Sequence, residues 1–240
     1  MRYVLDSHTH TIASGHAYST VHEMAKEASE KGLELLGITE HSMKMPGTCH
    51  EFYFQNLRVL RRTMYGIEVM FGSEVNIMDY DGSLDMEEKL LKRMDVVIAS
   101  LHIPCIKPGT RQQNTAACLH AMKNPYVNII GHPDDSRYPL DYEALVKGAK
   151  EYGVLLELNN NSLNPEGARK DPVPNDLQML RLCIKYQVPI ILGSDAHTQE
   201  DVGNHCYLDS LLTQTEFPEK LIVNRSVREY KKYINRFKQK

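Results

Sequence analysis

The sequence predicts an α/β fold in which seven strands close into an irregular barrel, and three observations predict it. Short apolar runs recur along the 240 residues. They are continuous rather than alternating, as strands covered on both faces are. A helical pattern follows almost every run, and six of the seven runs end within a few residues in His, Glu or Asp. In a β/α barrel all strand C-termini meet on one face, where active sites are built. Polar side chains far apart in the chain then share one pocket. Single α/β barrels commonly reach this length, so one domain over residues 1–240 is expected.

The first run, Tyr3 to Leu5, leads into DSHTHTIASGH, from Asp6 to His16. Residues i and i+2 of a strand share a face, so His8 and His10 can reach one ion. Gly15 lets the loop turn back to His16. A helix opens at Thr20, where Thr20 and Glu23 form a capping box. Its apolar stripe is Val21, Met24, Ala25 and Ala28, and Gly32 closes it. The second run, Leu33 to Thr39, ends in Glu40-His41. A polar loop from Ser42 to His50 precedes a helix over about Glu51 to Tyr65, stopped by Gly66. The third run, Ile67 to Gly72, ends in Glu74. Asn76 to Ser83 then reads as a hairpin or turn around Asp81-Gly82, followed by a short helix near Met86 to Arg93.

The fourth run, Asp95 to Ser100, ends in His102 and precedes a helix near Gln112 to Lys123. The fifth, Val127 to Gly131, ends in His132-Pro133-Asp134, and a helix opens at Asp141. The sixth, Val154 to Leu158, contains Glu157 and ends in Asn159-Asn160-Asn161. A polar loop through Pro174 and a helix over Asn175 to Tyr186 follow. The seventh, Val188 to Gly193, ends in Ser194-Asp195-Ala196-His197. Near the C-terminus a helix opens at Ser226 and Glu229, with Val227, Tyr230, Ile234 and Phe237 on one stripe. Leu221 to Asn224 could hold an eighth strand.

Composition narrows the function. A net charge of −3 gives no field for a nucleic-acid polymer or an acidic membrane. No apolar run reaches the roughly 18 residues of a spanning helix. Arg2 and Asp6 interrupt the start, so no signal peptide is expected. Cys49, Cys105, Cys118, Cys183 and Cys206 are scattered, without a CxxC pair. That fits small core residues in a reducing cytoplasm. Residues Arg225 to Lys240 carry seven basic side chains and one acidic, and read as a solvated helix face. Of eleven histidines, His22, His50, His120 and His205 fit no pattern and read as surface or helix residues.

The remaining seven, with two carboxylates, are the candidate metal ligands: His8, His10, His16, His41, Glu74, His102, His132, Asp195 and His197. Neutral imidazole is the commonest protein ligand for zinc. A catalytic zinc takes about three protein ligands and a water, so this set suits two or three ions. A carboxylate such as Glu74 can bridge two of them. Multi-metal sites of this kind serve in-line phosphoryl displacement.

Six motifs now stand together. They are HTHT near the N-terminus, TEH at Thr39 to His41, GSEVN at Gly72 to Asn76, SLH at Ser100 to His102, GHPD at Gly131 to Asp134, and GSDAH at Gly193 to His197. This set resembles the PHP (polymerase and histidinol phosphatase) family over about residues 3 to 200. GHAYST and ELNNNS are similar to its small bacterial YcdX-type phosphatases. The resemblance implies a distorted (β/α)7 TIM-like barrel. It also implies three ions per chain, usually zinc, with manganese or iron as alternatives. His8, His10, Glu74 and Asp195 would hold the first. Glu74, His102 and His132 would hold the second, and His16, His41 and His197 the third.

The expected activity is hydrolysis of small phosphomonoesters by a hydroxide held between metals, with Glu74, Asp195 and His197 at the chemistry. Histidinol-phosphate phosphatase, phosphodiesterase or exonuclease activity, and a non-catalytic metal-binding protein, are the alternatives. The expected partner is a small phosphorylated substrate, not a membrane or a nucleic-acid polymer, and homo-oligomerisation is left open. Lys107 and Arg111 are candidate phosphate contacts, though loop cations are usually plain surface charge. Asn159 to Asn161 line the pocket or cap a turn, and Asp134 orients His132 or shapes its loop.

Overall fold

The computed structural model describes residues 2–234. Its centre is a parallel sheet that curls into a nearly closed barrel. The strands are β1 (Leu5–Asp6), β2 (Leu35–His41), β4 (Ile67–Asn76), β5 (Val97–Ser100), β6 (Ile129–Ile130), β7 (Leu155–Asn159) and β8 (Ile190–Gly193), neighbours in that order. A short β3 (Thr63–Met64) pairs antiparallel with β4. The helices are α1 (Val21–Glu30), α2 (Glu51–Asn56), α3 (Glu88–Leu91), α4 (Arg111–Lys123), α5 (Tyr142–Tyr152), α6 (Pro172–Tyr186), α7 (Asp209–Gln214) and α8 (Val227–Ile234).

Alternation along each strand divides the core in two. On β2, Leu36 and Ile38 face the helices, while Leu35 faces the lumen. Leu5, Met70, Ile98, Ile129, Leu155 and Ile191 join Leu35 inside, and Tyr230 and Ile234 of α8 pack against this layer. Burying each such side chain contributes roughly 1.5–3 kcal/mol, so the barrel floor is dry and firmly held. Above it the lumen narrows at glycines. A Cβ at Gly193 would strike the Glu157 carboxylate, one at Gly72 the backbone oxygen of Val96, and one at Gly131 the Ser100 hydroxyl. Two residues beyond Gly72 and Gly193 stand Glu74 and Asp195.

Several boundaries differ from the sequence expectation. The helix over Glu51 to Tyr65 stops at Asn56, runs into a 3₁₀ turn over Leu57–Val59, and gives way to β3. Tyr65 (φ 48) and Gly66 (φ 83) form a two-residue hairpin turn between Met64 and Ile67. Positive φ at both central residues suits the twist of a hairpin, so Gly66 turns a hairpin rather than ending a helix. Helix α4 gains a capping box at Thr110 and Gln113. Helix α6 begins at Pro172, earlier than Asn175, because proline is suited to the first helical position. The turn at Asp81-Gly82 is present, with Ile77 bridged to Leu84. Phe237 and the end of the basic tail lie outside the described residues.

Leu221 to Asn224 does not extend into an eighth strand; it joins two 3₁₀ turns, Glu219–Leu221 and Val223–Arg225, with Ile222 making a single parallel bridge to Ile190 of β8, and it seals the seam between β8 and β1. Buried Asn224 does the sealing. Its side chain accepts from Leu192 N (2.7 Å) and donates to Leu192 O (2.8 Å) and Leu5 O (3.1 Å). Its backbone oxygen accepts from Val4 N at 2.8 Å. At the other end, Thr9 bridges Ala196 directly. Asn224→Ala should therefore leave three backbone groups unpaired in the core and cost about 2–4 kcal/mol. Urea unfolding measures this, and a loss below about 1 kcal/mol would mean that the seam holds without it.

Candidate metal centre

All nine sequence-predicted residues come together at the C-terminal end of the barrel. Glu74, at 0% exposure, is the hub. On one side its Oε2 lies 3.5 Å from His8 Nε2 and 3.5 Å from His10 Nε2. Those nitrogens lie 3.7 and 3.3 Å from Asp195 Oδ1. The other oxygen, Oε1, lies 2.7 Å from His132 Nε2 and 3.2 Å from His102 Nε2. His41 Nδ1 approaches Oε2 at 2.8 Å. His16, His41 and His197 form a third group, with ring centroids 4.9 Å (His16–His41) and 5.0 Å (His16–His197) apart.

Buried polar atoms in folded proteins are normally paired. Here His8 Nε2, His10 Nε2, His41 Nδ1, His102 Nε2 and Glu74 Oε2 are all buried without a hydrogen-bond partner. Three overlapping sets keep their donor atoms within 4.8 Å of one another: His8/His10/Glu74, His41/Glu74/His102 and His10/His41/His197. Imidazole nitrogens and carboxylate oxygens are the donor set of zinc and similar ions. The residues present fit bound metal.

The surrounding contacts aim the rings. His8 Nδ1 lies 2.6 Å from Glu157 Oε1, and His10 Nδ1 lies 3.1 Å from Ser14 Oγ, which itself donates to Glu40 at 2.6 Å. His102 Nδ1 lies 2.7 Å from Asn76 Oδ1. In each case a neutral ring with its proton on Nδ1 would present the Nε2 lone pair inward, as ligation requires. Glu157 also accepts from His132 N (2.8 Å) and from Asn159 Nδ2 (3.0 Å). Backbone strain adds to the placement. His132 (φ 31) and Asp195 (φ 55) adopt positive φ without being glycine, a conformation that clusters at functional sites.

Charge balance follows from burial. Burial would raise the Glu74 and Asp195 carboxyls. The imidazoles of His102, His8 and His41 hold Glu74 well below its ordinary value, and His8 and Arg169 do the same for Asp195. Burial, and then the charge of His41, pushes His10 and His16 down; burial also lowers His102. Neutral histidine is the form that ligates. His8 differs. Burial lowers it, but Glu157, Glu74 and Asp195 outweigh burial and hold it well above its ordinary value.

The centre opens into a cavity of about 310 Å³, lined by His16, His41, His102, Asp195, His197, Asn161, Arg137 and Arg169. Met45, Leu101, Ile103, Pro104 and Ala168 supply its apolar wall. A larger cleft of about 480 Å³ lies around Phe52, Arg62 and Met94, and none of the nine residues lines it.

Some of the other sequence expectations hold and others are corrected. Arg111 bonds Leu140 O and pairs with Asp141, and neither it nor Lys107 lines the cavity. The cavity cations are instead Arg137 and Arg169; the two terminal nitrogens of Arg169 each lie 3.1 Å from Asp195 Oδ2. Both sit in loops with no periodicity to mark them. Of the asparagines, Asn161 lines the cavity, Asn159 holds Glu157 and Asp195, and Asn160 accepts from Tyr207 N. His205 is buried against Tyr3 rather than on the surface. Only Cys118 and Cys183 are core thiols; Cys206 is exposed. Glu157, not Asp134, braces His132. Asp134 and Asp176 are instead fully buried carboxyls on the helix side. Burial raises Asp134 to about 6; burial and the Asp134 charge raise Asp176 well above its ordinary value.

Fold and site together define a class: a β/α-barrel protein with a histidine- and carboxylate-lined centre that fits metal. The chain belongs to the PHP domain family, which matches residues 6–161. It is 49% identical to a probable phosphatase of Clostridium novyi (strain NT), covering 98% of this chain and 95% of that one. It is 45% identical to a probable phosphatase of Acetivibrio thermocellus, covering 100% and 98%. A solved histidinol phosphate phosphatase from Lactococcus lactis, complexed with zinc, L-histidinol and phosphate, shares the fold. Its TM-score is 0.61 at 17% identity, over 90% of this chain and 95% of that one. Among the described residues no helix is long and apolar enough to cross a membrane.

Two outcomes are expected from this geometry. Glu157→Gln should weaken metal binding about 10- to 100-fold through His8, read by competition with a chelator while the melting temperature stays near wild type. Asp176 has a folded-state value above its unfolded value near 3.9. Its favourable contribution is full below that value and is lost as pH rises through the folded value. Asp176→Asn should thus melt a few degrees higher than wild type at pH 8 and show a smaller gain, or none, at pH 4. An equal shift at both pH values would rule out titration as the cause.

Proposed function

We propose that this chain is a metal-dependent phosphatase acting on small phosphomonoesters, as one domain with a cytoplasmic location. The observation that carries the reading is the set of unpartnered buried atoms around Glu74, opening into a small cavity that also presents the Arg169 guanidinium. Family membership and the probable phosphatases among its relatives support it. We assign three ions, zinc first and manganese or iron as alternatives, with zinc in the Lactococcus lactis structure as support. His8, His10, Glu74 and Asp195 would hold the first, and Glu74, His102 and His132 the second. His16, His41 and His197 would hold the third.

Bound ions supply neutralisation of phosphoryl oxygens and a water that ionises near neutral pH. The protein's own groups do the rest. Glu74 divides its two oxygens between the His8/His10 side and the His102/His132 side. Asp195 is oriented by Asn159 Nδ2 (3.3 Å) and by Arg169. Arg169, 15% exposed, has a planar fork suited to phosphate oxygens and stands at the cavity wall beside Asp195. His197 donates Nδ1–H to Asp195 O (2.8 Å), which fixes its ring at the mouth. Met45, Leu101 and Ile103 limit water around the ester. A cavity of about 310 Å³ sits at the small end of ligand pockets, which suits a metabolite rather than a polymer.

The test is metal content by mass spectrometry, paired with p-nitrophenyl phosphate hydrolysis before and after chelation. Close to three ions per chain and chelator-sensitive turnover are expected. Glu74→Gln should lower the metal count and reduce turnover by at least about 10³-fold, because a neutral amide cannot serve both sides as the carboxylate does. Wild-type turnover in that variant, or in metal-free protein, would overturn the reading.

A further inference from the structure

The cavity holds a second guanidinium that the metal centre does not use. Arg137 follows β6 in the loop after His132 and lines the cavity together with Arg169 and the histidines. Its posture is fixed by Asp135, a carboxylate only 7% exposed. Asp135 accepts from Arg137 N (3.0 Å) and from Nε (2.9 Å to each oxygen), and also pairs with Nη2. One edge of the fork is therefore pinned, and among the described residues Nη1 has no hydrogen-bond acceptor. The side chain is 34% exposed, so that free edge is within reach of a ligand. The loop is braced further by Ser136 N donating to Lys170 O at 2.9 Å and by Tyr138 OH donating to Ile106 O at 2.6 Å.

Arg169 is engaged differently. Both of its terminal nitrogens go to Asp195, at the metal end. The two guanidiniums also lie close enough to repel each other, and an anion against either relieves this. The wall offers apolar contact through Leu101, Ile103 and Pro104. A pre-organised arginine with a free edge binds carboxylate or phosphate with little ordering cost.

We propose that Arg137 is a specificity residue that binds a second anionic group, so that this cavity selects small phosphate esters carrying a further carboxylate or phosphate. The substrate class rests on the phosphatase reading, whereas the anion selectivity can be measured without turnover. Phosphonates serve as probes, because their C–P bond resists hydrolysis. Calorimetry on the metal-loaded protein compares propylphosphonate with 3-phosphonopropionate and with propane-1,3-bisphosphonate.

Wild-type protein should bind at least one of the two-anion probes about tenfold or more tighter than propylphosphonate, the size of one charge-assisted contact. Whichever probe gains tells whether the second group is a carboxylate or a phosphate. Arg137→Gln should reduce the advantage to under about threefold, and Arg137→Lys should keep part of it. The double variant Asp135→Asn/Arg137→Gln removes both charges of the pair, and so leaves no unpaired buried carboxylate and tests the same loss should the single variant not fold. Equal affinities in wild type, or an advantage that survives in Arg137→Gln or the double variant, would overturn the assignment and leave Arg137 a loop brace. Selective binding in a protein that cleaves no phosphate ester would sink the phosphatase reading while the anion site stands.

Discussion

A carboxylate with no exposed surface, Glu74, sets the terms for the rest of this molecule. An ionised group in such a place is costly unless paired. Among the described residues no lysine or arginine pairs with it; its neighbours are imidazoles, four of them with unpartnered nitrogens aimed at the same space. Burial pushes His10 and His102 toward the neutral form, so these two imidazoles are not cations balancing Glu74 and Asp195. Cations held between them resolve both problems at once. The metal reading thus follows from a charge and hydrogen-bond deficit that the protein alone does not close.

The barrel is shaped to hold that deficit. A dry floor of leucine and isoleucine, capped by Tyr230 and Ile234, keeps water out from below. Glycines at Gly131 and Gly193 clear room for Glu157 inside the lumen, where it ties His8 and the His132 backbone together. Asn224 closes the seam that carries His8 and His10 on one side and Asp195 on the other. Positive φ at His132 and Asp195 is sustained because the surrounding sheet over-determines it.

From floor to mouth the groups become steadily more exposed. His8 and His10 are sealed, His102 and His197 are partly open, and His16 stands at the rim. Arg169 and Arg137 occupy the outer wall, each tied to a buried aspartate. Strand ends carry the groups that need fixed spacing, and loops carry those that meet a variable ligand.

The strand ends were legible in the sequence for a physical reason. Continuous apolar runs mark strands buried on both faces, and a β/α barrel gathers the residues just past their C-terminal ends onto one face. His8, His10, His41, Glu74, His102, His132, Asp195 and His197 needed only that rule, with the motif resemblance supplying the grouping. The rest depended on contacts between distant segments. Gly66 has the same signature whether it ends a helix or turns a hairpin, and only pairing of Thr63–Met64 with β4 decided it. Leu221 to Asn224 is apolar enough for a strand, yet Asn224 reaches across the seam with its side chain. Arg169 and Arg137 sit in aperiodic loops where local sequence leaves direction undefined. Sequence alone determined which residue types end the strands, because local pattern and burial decide that. Tertiary structure decided that Arg169 turns inward, because that depends on buried Asp195, 26 residues away.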